Sequence, residues 1–443
     1  MENGNYFKSK SLVLVGHVQS GKTHEEINFC YESIFSRNTP VIFITRNIKA
    51  DQLQLISRCM FFSKSLKTQM LSHSTIHQAK AFLESIGILI LLCNSNQLRR
   101  TVEVLKEYSG EYNVCIDEID FTIKTKKCDS PIDAYLKKIK SGASYILGAT
   151  ATPIALFNNN LTDSFVKLKP KAGYRGISSL SIKFVESNIS KNILSDYTAI
   201  QEVYTSLLTK KSAVLLHTVS KNKEIHKELL YYLILLFPTF TVITYNGDGI
   251  RVICNSRQSK PLTKKLTSNV YGQCINRYST TLENNTLIHN FYNWTISEVL
   301  QLLKDDPIYS HTHITIISGN LAARGISFVS SDYTIHLTDQ YFKPSKNTHG
   351  ENYLQSLRIL GCYTDSVPLT LWCDPKTWKA INDHSEIINK IIDHVNDSTE
   401  WMCKIKEVSV IRPDSPLTRH RVNPRIHKIS PGHFKMDLDF DFE

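Results

Sequence analysis

The sequence predicts an α/β protein with two doubly wound parallel-sheet domains in tandem. At 443 residues the chain exceeds the length of one typical domain, so two domains are expected. Short β-rich apolar runs recur in both halves without alternation of polar and apolar residues, as in parallel strands covered on both faces. Segments with helical spacing separate these runs and give the alternating order of a doubly wound sheet.

The first domain is predicted over residues 1–165. Its strands are expected at 11–16, 41–45, 88–93, 113–117 and 144–149, and its helices at 22–36, 51–63, 96–108 and 131–140.

The second domain is predicted over 166–400, because a stretch of Lys, Pro and Gly with little periodicity marks the boundary. Its strands are expected at 213–217, 239–244, 313–318, 333–338 and 368–373, and its helices at 196–209, 220–236, 291–304, 351–361 and 375–396. A polar, basic insertion at about 247–288 interrupts this domain, and residues 401–443 form a basic and then acidic tail.

The composition favours an intracellular protein with a polyanionic partner. Lys and Arg number 52 against 41 Asp and Glu, and this excess favours nucleic acid. The 10 cysteines include no Cys-x-x-Cys pair, so reduced thiols are expected. No apolar run is long enough for a signal peptide or approaches the ~20 residues of a membrane span. A cytoplasmic or nuclear location is expected, or a virion or viral factory if the abundance of Asn, Ile and Lys reflects a viral AT-rich genome.

The sharpest motif is a phosphate loop between the first predicted strand and the first predicted helix. Residues 16–23 have the sequence Gly-His-Val-Gln-Ser-Gly-Lys-Thr, which fits the pattern G-x-x-x-x-G-K-T. Its glycines let the backbone wrap a phosphate at a helix N-terminus. Lys22 is expected to reach the β and γ phosphates of ATP, and Thr23 to bind Mg²⁺. The candidate nucleotide ligands of the loop are Gly16, Gln19, Ser20, Gly21, Lys22 and Thr23.

Acidic residues end the apolar strand predicted at 113–117, in the sequence Asp117-Glu118-Ile-Asp120. Asp117 is expected to hold Mg²⁺ together with Thr23. Glu118 is placed to polarise the attacking water as a general base, which distinguishes an ATP hydrolase from a protein that only holds nucleotide.

Small hydroxyl residues end the next apolar strand, in the sequence Gly-Ala-Thr-Ala-Thr-Pro at 148–153. Thr150 and Thr152 are expected to couple the acidic pair to the second domain. Their position directly after an acidic strand end is what gives this short element its significance.

The order of these motifs resembles the superfamily-two helicase ATPases, whose first RecA-like domain carries a phosphate loop, a D-E-x-D box and an S-A-T or T-A-T element. Residues 318–326 resemble the family's fifth motif, and residues 355–361 resemble a reduced sixth motif. The resemblance implies a DEAD-like P-loop NTPase fold with two RecA-like domains that clamp one ATP. It also adds Gly325 and Gln355 to the candidate nucleotide ligands.

A narrower resemblance is to the Z-one domain family of endonuclease-associated ATPases. It depends on the phosphate loop, Ala-Thr-Pro at 151–153, Gly-Asn-Leu-x-x-Arg-Gly at 319–325 and residues 355–361. The sixth motif of helicases usually supplies two arginines, whereas this chain offers only Arg358. The resemblance implies that Arg358 is an arginine finger for the γ-phosphate, and Arg324 is expected to share that role. No acidic-Lys nuclease cluster is found, so nuclease activity is not expected.

Single-stranded DNA or RNA is expected to cross the loops that follow the strands. The helicase resemblance implies contacts from Arg46 in the first domain and from Thr218 and Asn320 in the second. Between Arg251 and Arg277 there are six Lys or Arg residues and no acid, which suits phosphate contact. The candidates there are Lys264 and Lys265, and a solvated basic loop is the alternative.

The end of the tail, Met436 to Glu443, alternates acids with apolar side chains. A segment of this kind can dock a protein partner or compete with nucleic acid for a basic surface. The alternatives are a solubilising tail and an edge strand of the protein's own sheet.

Together the motifs predict a nucleic-acid-stimulated ATPase, a helicase or translocase, that uses ATP and Mg²⁺. Two alternatives remain open. The single clear arginine of the sixth motif allows a hydrolysis-poor switch or scaffold, and the Z-one resemblance allows the ATPase subunit of a nuclease or defence complex. The histidines show no metal-ligand spacing with acids, and no Ser, His and Asp nucleophile motif is recognised.

Overall fold

In the computed structural model, the chain forms two compact units. One contains the residues up to Lys171 together with a segment that starts at Glu386, and the other runs from Ala172 to Ser385. The structure describes residues 5–72, 75–122, 130–153, 164–186, 197–218, 223–255, 270–271, 274–275, 277–283, 286–307, 309–319, 325–344, 350–362, 367–394, 424–429 and 433–438. Four predicted site residues lie outside these ranges: Asn320, Arg324, Lys264 and Lys265.

The first unit is built on a seven-stranded sheet in which all strand pairs are parallel. The strands are β1 (Ser11–Val15), β2 (Val41–Thr45), β3 (Thr68–Met70), β4 (Ile88–Leu92), β5 (Asn113–Ile116), β6 (Ile146–Thr150) and β7 (Ser164–Lys167). Their spatial order is β3-β4-β2-β5-β6-β1-β7. Every residue of β2, β5 and β6 is buried, so these apolar runs form central strands covered on both faces, as the sequence predicts.

Five helices of this unit lie among the described residues. They are α1 (Lys22–Phe35), α2 (Lys49–Phe62), α3 (Ile76–Glu84), α4 (Ser95–Glu107) and α5 (Pro131–Ser141). The start of α4 is set by Asn94, whose side chain accepts a hydrogen bond from the Gln97 backbone N–H. The start of α5 is set by a capping box of Ser130 and Asp133. Sequence periodicity predicts four of these helices, whereas α3 and the short strands β3 and β7 have no such signal.

The second unit contains a nine-stranded mixed sheet. Its strands are β9 (Leu180–Phe184), β10 (Val214–Thr218), β11 (Phe240–Asn246), β12 (Gly249–Asn255), β15 (Arg277–Glu283), β16 (Thr286–Tyr292), β17 (His313–Ser318), β18 (Asp339–Phe342) and β20 (Leu369–Cys373), in the order β15-β16-β12-β11-β17-β10-β18-β20-β9. The six strands from β11 to β9 pair in parallel, and β12, β16 and β15 continue the sheet antiparallel. Two predominantly parallel α/β units are the predicted fold class.

The helices of the second unit follow the predicted alternation. They are α6 (Tyr197–Leu208), α7 (Lys223–Leu236), α8 (Ile296–Asp305), α9 (Gly350–Gln355) and α10 (Pro375–His394), the last of which extends past Ser385. A capping box of Thr295 and Glu298 starts α8. The prediction of a helix from residue 291 is therefore wrong by about a turn, because β16 continues to Tyr292.

The strand predicted at 333–338 is also displaced, since β18 begins at Asp339. The Ser330 hydroxyl donates to Asp332 Oδ1 over 2.6 Å, and the Thr334 hydroxyl donates to the same oxygen over 2.7 Å. This side-chain network holds a turn, because short polar side chains offer the backbone an alternative to a strand ladder.

Both ends of the predicted basic insertion at about 247–288 form strands of the second sheet. Ile250, Val252 and Ile253 of β12 are buried, and so are Leu287 and Phe291 of β16. Alternation of buried and exposed residues in β16 is the pattern of an antiparallel strand with one covered face. The ends of the insertion thus belong to the second sheet, while Lys264 and Lys265 fall between β12 and β15.

Short strands complete the described architecture. They are β8 (Tyr174–Arg175), β13 (Val270–Tyr271), β14 (Cys274–Ile275), β19 (Gly361–Cys362), β21 (Pro424–Ile429) and β22 (His433–Leu438), which pair as β13 with β14, β8 with β19, and β21 with β22. Among the described residues, no helix has the length and apolar character of a membrane span. Six cysteines in this part of the chain are buried free thiols.

An ion pair with one fully buried partner anchors β18 in the second sheet. Asp339 has no exposed surface, and both of its oxygens accept from Nζ of the partly exposed Lys210 over 2.7 Å. The Trp372 indole N–H donates to it over 3.0 Å. We expect Asp339→Ala to lower the free energy of unfolding by about 1–3 kcal/mol, because it leaves the buried indole N–H without its acceptor, whereas water can solvate the ammonium. Urea unfolding measured by circular dichroism checks this.

The matched control for that measurement is Glu103→Ala, which removes the exposed pair of Glu103 with Arg99 on α4. Exposed pairs are screened by water, so the control should cost less than about 1 kcal/mol. Equal losses in the two variants would show that the Asp339 pair is no anchor.

Candidate nucleotide-binding site

The topology of the first sheet brings the sequence motifs together. The strands β5, β6 and β1 are adjacent, and each ends in a motif: the acids after β5, the threonines at the end of β6, and the phosphate loop after β1. The Gly16 backbone N–H donates to the Thr150 carbonyl over 3.2 Å, which joins two of the three motifs. Ligand sites of open α/β sheets lie at the carboxyl ends of strands, as these loops do.

The phosphate loop has the backbone of a tight turn that opens a helix. Gly21 has φ 98° and Gln19 has φ 56°, and α1 begins directly after, at Lys22. A Cβ atom on Gly16 would lie 2.8 Å from the Ser20 hydroxyl oxygen and 3.1 Å from Leu168 Cβ, so a larger residue there would displace these side chains. The Ser20 hydroxyl is buried and has no hydrogen-bond partner among the described residues. A curled backbone with an unsatisfied hydroxyl at a helix N-terminus fits a phosphate ligand.

The predicted phosphate-binding lysine folds back over this loop. Lys22 Nζ donates to the His17 carbonyl over 2.7 Å and to the Gly16 carbonyl over 3.3 Å, and only 8% of the residue is exposed. Burial, and secondarily the Lys22 charge, lowers the pKa of His17 below its ordinary value. The positive charge at the loop is therefore that of Lys22. Thr23, the predicted Mg²⁺ ligand, follows it on α1 and is partly buried.

The two predicted catalytic acids follow β5. The Asp117 backbone N–H donates to the Ile44 carbonyl over 3.1 Å, which extends the pairing with β2. Burial, and secondarily the neighbouring Glu118, raises the pKa of Asp117 to about 6. Glu118 has φ 51°, a left-handed conformation that is uncommon for residues other than glycine and costs on the order of 1–3 kcal/mol. Its Oε2 atom is buried without a hydrogen-bond partner among the described residues.

The third acid of the motif links the threonines to the acidic pair. The Thr150 hydroxyl donates to Asp120 Oδ1 over 2.8 Å, and the Thr152 hydroxyl donates to Asp120 Oδ2 over 2.9 Å. All three side chains are buried. The predicted coupling residues are thus tied to the acidic loop through Asp120, to which the sequence analysis assigns no role. The two hydroxyl residues at the end of the next strand along the chain are the sequence feature that could have indicated this role.

Arg46, predicted to contact nucleic acid, is 8% exposed and forms a buried ion pair. Its Nε and Nη2 atoms donate to the two oxygens of Asp51 over 2.9 and 3.0 Å. Burial raises the pKa of Asp51 to about 7 against the lowering effect of Arg46. Arg46 also lowers the pKa of Asp117, so its charge acts on the acidic pair. Contact of Arg46 with nucleic acid stays a prediction.

The predicted arginine finger is fixed by backbone carbonyls of the second unit. Arg358 Nε donates to the Ile326 carbonyl and Nη1 donates to the Gln355 carbonyl, each over 2.9 Å. These bonds bring together Gln355, Arg358 and the segment after Gly325, which has φ 71°. The sequence resemblance placed these residues in two separate motifs of one nucleotide site.

A residue outside the predicted site holds this segment in place. Gln340 of β18 is fully buried, and its side-chain amide donates to the Ser356 carbonyl over 2.8 Å. Its carbonyl oxygen accepts from the Ile359 backbone N–H over 3.1 Å. Gln340 therefore pairs with the chain on both sides of Arg358, much as a neighbouring strand would.

Thr218, also predicted to contact nucleic acid, lies in the described part of the second unit. The Thr218 hydroxyl, at the end of β10, donates to the Tyr341 carbonyl over 2.8 Å. Tyr6, near the start of the first unit, is 3% exposed, and its hydroxyl donates to Glu25. Packing against α1 therefore accounts for Tyr6.

Mg²⁺ is compatible with the donors present, because hydroxyl and carboxylate oxygens are its preferred ligands. Thr23 and Asp117 supply one of each. In the part of the chain that the structure describes, no group of three or more His, Cys, Asp or Glu residues is placed to hold a metal ion. Protein ligands alone therefore do not complete a shell, and nucleotide phosphates and water would supply the rest.

The fold is that of the tandem RecA-like domains of DEAD-box helicases. A variant of Dbp5 from S. cerevisiae, solved bound to RNA and ADP BeF3, matches with a TM-score of 0.50 and 10% identity over 91% of this chain and 90% of that chain. Mss116p, solved bound to ssRNA and AMP-PNP, matches with a TM-score of 0.52 and 12% identity over 86% of this chain and 70% of that chain. No family model and no curated protein matches the sequence. The Z-one resemblance therefore stays a prediction.

The raised pKa of Asp117 gives stability a pH dependence. The folded-state pKa is about 6 against an ordinary 3.8, so the folded chain binds this proton more tightly than the unfolded chain. The resulting stabilisation is fully present below the ordinary pKa and is lost as the pH rises through about 6. Between about pH 5 and pH 7, we expect the free energy of unfolding of the parent to fall by about 1–2 kcal/mol more than that of Asp117→Asn. Urea titrations in EDTA check this. Glu103→Gln serves as the control, and parallel pH profiles for Asp117→Asn and the parent would contradict the expectation.

Proposed function

We propose that the chain is a nucleic-acid-stimulated ATPase of the superfamily-two helicase type, which hydrolyses ATP with Mg²⁺ to remodel or move along DNA or RNA. The observation that carries the proposal is the convergence of the phosphate loop, the acidic pair and the Asp120 link at the ends of three adjacent parallel strands. The fold shared with structures solved with RNA and ATP analogues supports it.

Binding of ATP begins at the phosphate loop. The free N–H groups at the start of α1 and the Lys22 ammonium favour the phosphate chain. Lys22 now donates to loop carbonyls, so binding exchanges these bonds for charge-assisted bonds to the β and γ phosphates. Mg²⁺ held by Thr23 and Asp117 would neutralise phosphate charge and shield it from the attacking water.

Hydrolysis is assigned to the acidic loop. Glu118 orients a water molecule and accepts its proton as that water attacks the γ-phosphorus. The backbone at Glu118 is left-handed, which determines the direction in which its side chain leaves the loop. The bonds of Asp120 to Thr150 and Thr152 hold the acidic loop against the end of β6. Arg358 is proposed to stabilise the charge that develops on the γ-phosphate.

Changes in bound nucleotide would alter the grip on nucleic acid. The hydroxyls of Thr150 and Thr152 are hydrogen-bonded to Asp120, so a movement of the acidic loop also moves these threonines. They are therefore the proposed coupling residues. A motor needs this differential affinity for its strand in two states. Stimulation of ATP turnover by a panel of single- and double-stranded DNA and RNA tests the function and identifies the strand. Turnover that no nucleic acid stimulates would overturn the proposal.

A second candidate function is a hydrolysis-poor ATP switch that scaffolds a complex. It is favoured by Arg358, the one clear arginine of its motif, two of whose N–H groups already donate to backbone carbonyls. Tight ATP binding with turnover close to the background rate, with and without nucleic acid, would favour the switch.

Binding and hydrolysis should separate in two variants of the first unit. Lys22→Ala removes the charge that meets the β and γ phosphates, so both ATP binding and turnover should be lost. Glu118→Gln keeps the size of the side chain but cannot accept a proton, so it should bind ATP and lower turnover by about 10²-fold or more. Fluorescent-nucleotide binding and phosphate release measure the two properties.

The control for these variants is Lys106→Ala on the exposed surface of α4, which should retain both properties. A Glu118→Gln protein that turns over ATP at the parent rate would show that Glu118 is not the general base.

Arg358 and Gln340 should act as one unit. Arg358→Ala should lower kcat by about 10³-fold with a much smaller change in ATP affinity. Gln340→Leu removes both bonds that hold the segment of Arg358, so it should also lower kcat more than affinity. The double variant should be no slower than Arg358→Ala, because Gln340 acts through Arg358. Steady-state kinetics with Gln301→Leu as control measure this, and additive losses would mean that Gln340 acts independently of Arg358.

A further inference from the structure

Glu26 is a fully buried carboxyl group on α1, one helical turn after Lys22. Neither of its oxygens has a hydrogen-bond partner among the described residues. The adjacent Glu25, by contrast, accepts a bond from the Tyr6 hydroxyl. No sequence motif selects Glu26, since it lies beyond the end of the phosphate-loop pattern.

A buried carboxyl group without a partner is costly, and native proteins retain few of them. The neighbouring buried positions of α1, Ile27, Phe29 and Cys30, are apolar or nearly so, and an apolar residue at position 26 would pack there without such a cost. The acid therefore has a reason other than packing, and a ligand that supplies positive charge or donor groups is one such reason.

The charges that act on Glu26 identify the place where that ligand belongs. After burial, the strongest influences on its pKa are Asp117 and Glu118, which raise it well above its ordinary value, and Lys22, which lowers it. Geometry agrees with this, because residues four apart lie on the same face of a helix and both Glu26 and Lys22 are buried on α1, which packs against β5 and β6. The acids that act on Glu26 outnumber the one lysine, and this excess favours an additional cation.

We propose that Glu26 is a further acidic ligand of the divalent cation at this site, and that it acts on Mg²⁺ together with Asp117 through the water shell of the ion. This rests on the proposed function. A hydrated ion is favoured because Mg²⁺ gives up its waters reluctantly. Glu26 then accepts hydrogen bonds from ion-bound water, and the cation satisfies the carboxylates that are otherwise buried together.

The test uses the full chain, with Mn²⁺ as the probe and ADP as the nucleotide. Electron paramagnetic resonance measures Mn²⁺ affinity at saturating ADP, and thermal unfolding measures Tm in EDTA and in Mg²⁺ with ADP. For Glu26→Gln we expect Mn²⁺ affinity to fall about tenfold or more, as for other outer-shell partners of metals. We also expect Tm in EDTA to rise, because glutamine is neutral, and the increase in Tm on adding Mg²⁺ to shrink.

Two further variants make the test specific. Glu26→Asp keeps the charge on a shorter side chain, so it should lose less Mn²⁺ affinity than Glu26→Gln. Glu32→Gln, a partly exposed acid on the same helix, should match the parent in every measurement.

Parent-like Mn²⁺ affinity in Glu26→Gln would overturn the proposal. A Glu26→Gln protein that is less stable than the parent in EDTA, or does not fold, would overturn it as well, because the carboxyl would then have a structural role. If the parent itself bound neither ADP nor Mn²⁺ with ADP, the proposed function would fail instead, so the two failures are distinguishable.

Discussion

The parallel pairing of β1, β6 and β5 is the constraint on which the candidate site depends. The register aligns Val13 with Gly148 and Ile146 with Val114, so the three strands end at the same edge of the sheet. Because these strands are buried on both faces, their ends cannot shift independently. The loops can therefore carry polar and strained residues that would be unstable in a less rigid setting. The Asp120 bonds to Thr150 and Thr152 and the bond from Gly16 to the Thr150 carbonyl then fasten the loops to one another.

Sequence reasoning was most successful where the determinants of structure are local. A strand, a glycine-rich turn and a helix follow one another in the phosphate loop, so the pattern of residues 16–23 defines its backbone. The acids after β5 are similarly marked by the abrupt end of an apolar run. The order of strands in space is not local, and the sequence predicted only that both sheets would be largely parallel. Adjacency of β5, β6 and β1 was not predicted and is seen only in the structure.

The parts that the sequence did not predict depend on contacts between distant segments. Gln340 lies in a short strand that periodicity placed several residues too early, and its function depends on a segment beyond α9. Glu26 has an ordinary helical position, and only the packing of α1 against the sheet shows that its carboxyl group is buried. The antiparallel strands β12, β15 and β16 were hidden because an insertion rich in polar residues gives little periodic signal. In each case tertiary packing, which no local pattern reports, decides the role.

The left-handed backbone of Glu118 sets the general-base role proposed for this residue in opposition to stability. A residue with a side chain costs on the order of 1 kcal/mol or more in that conformation, whereas glycine adopts it freely. Glycine would therefore relieve the backbone strain but would lack any group able to take a proton. A search for stabilising substitutions that considered only backbone conformation would select position 118 and would remove the proposed proton acceptor.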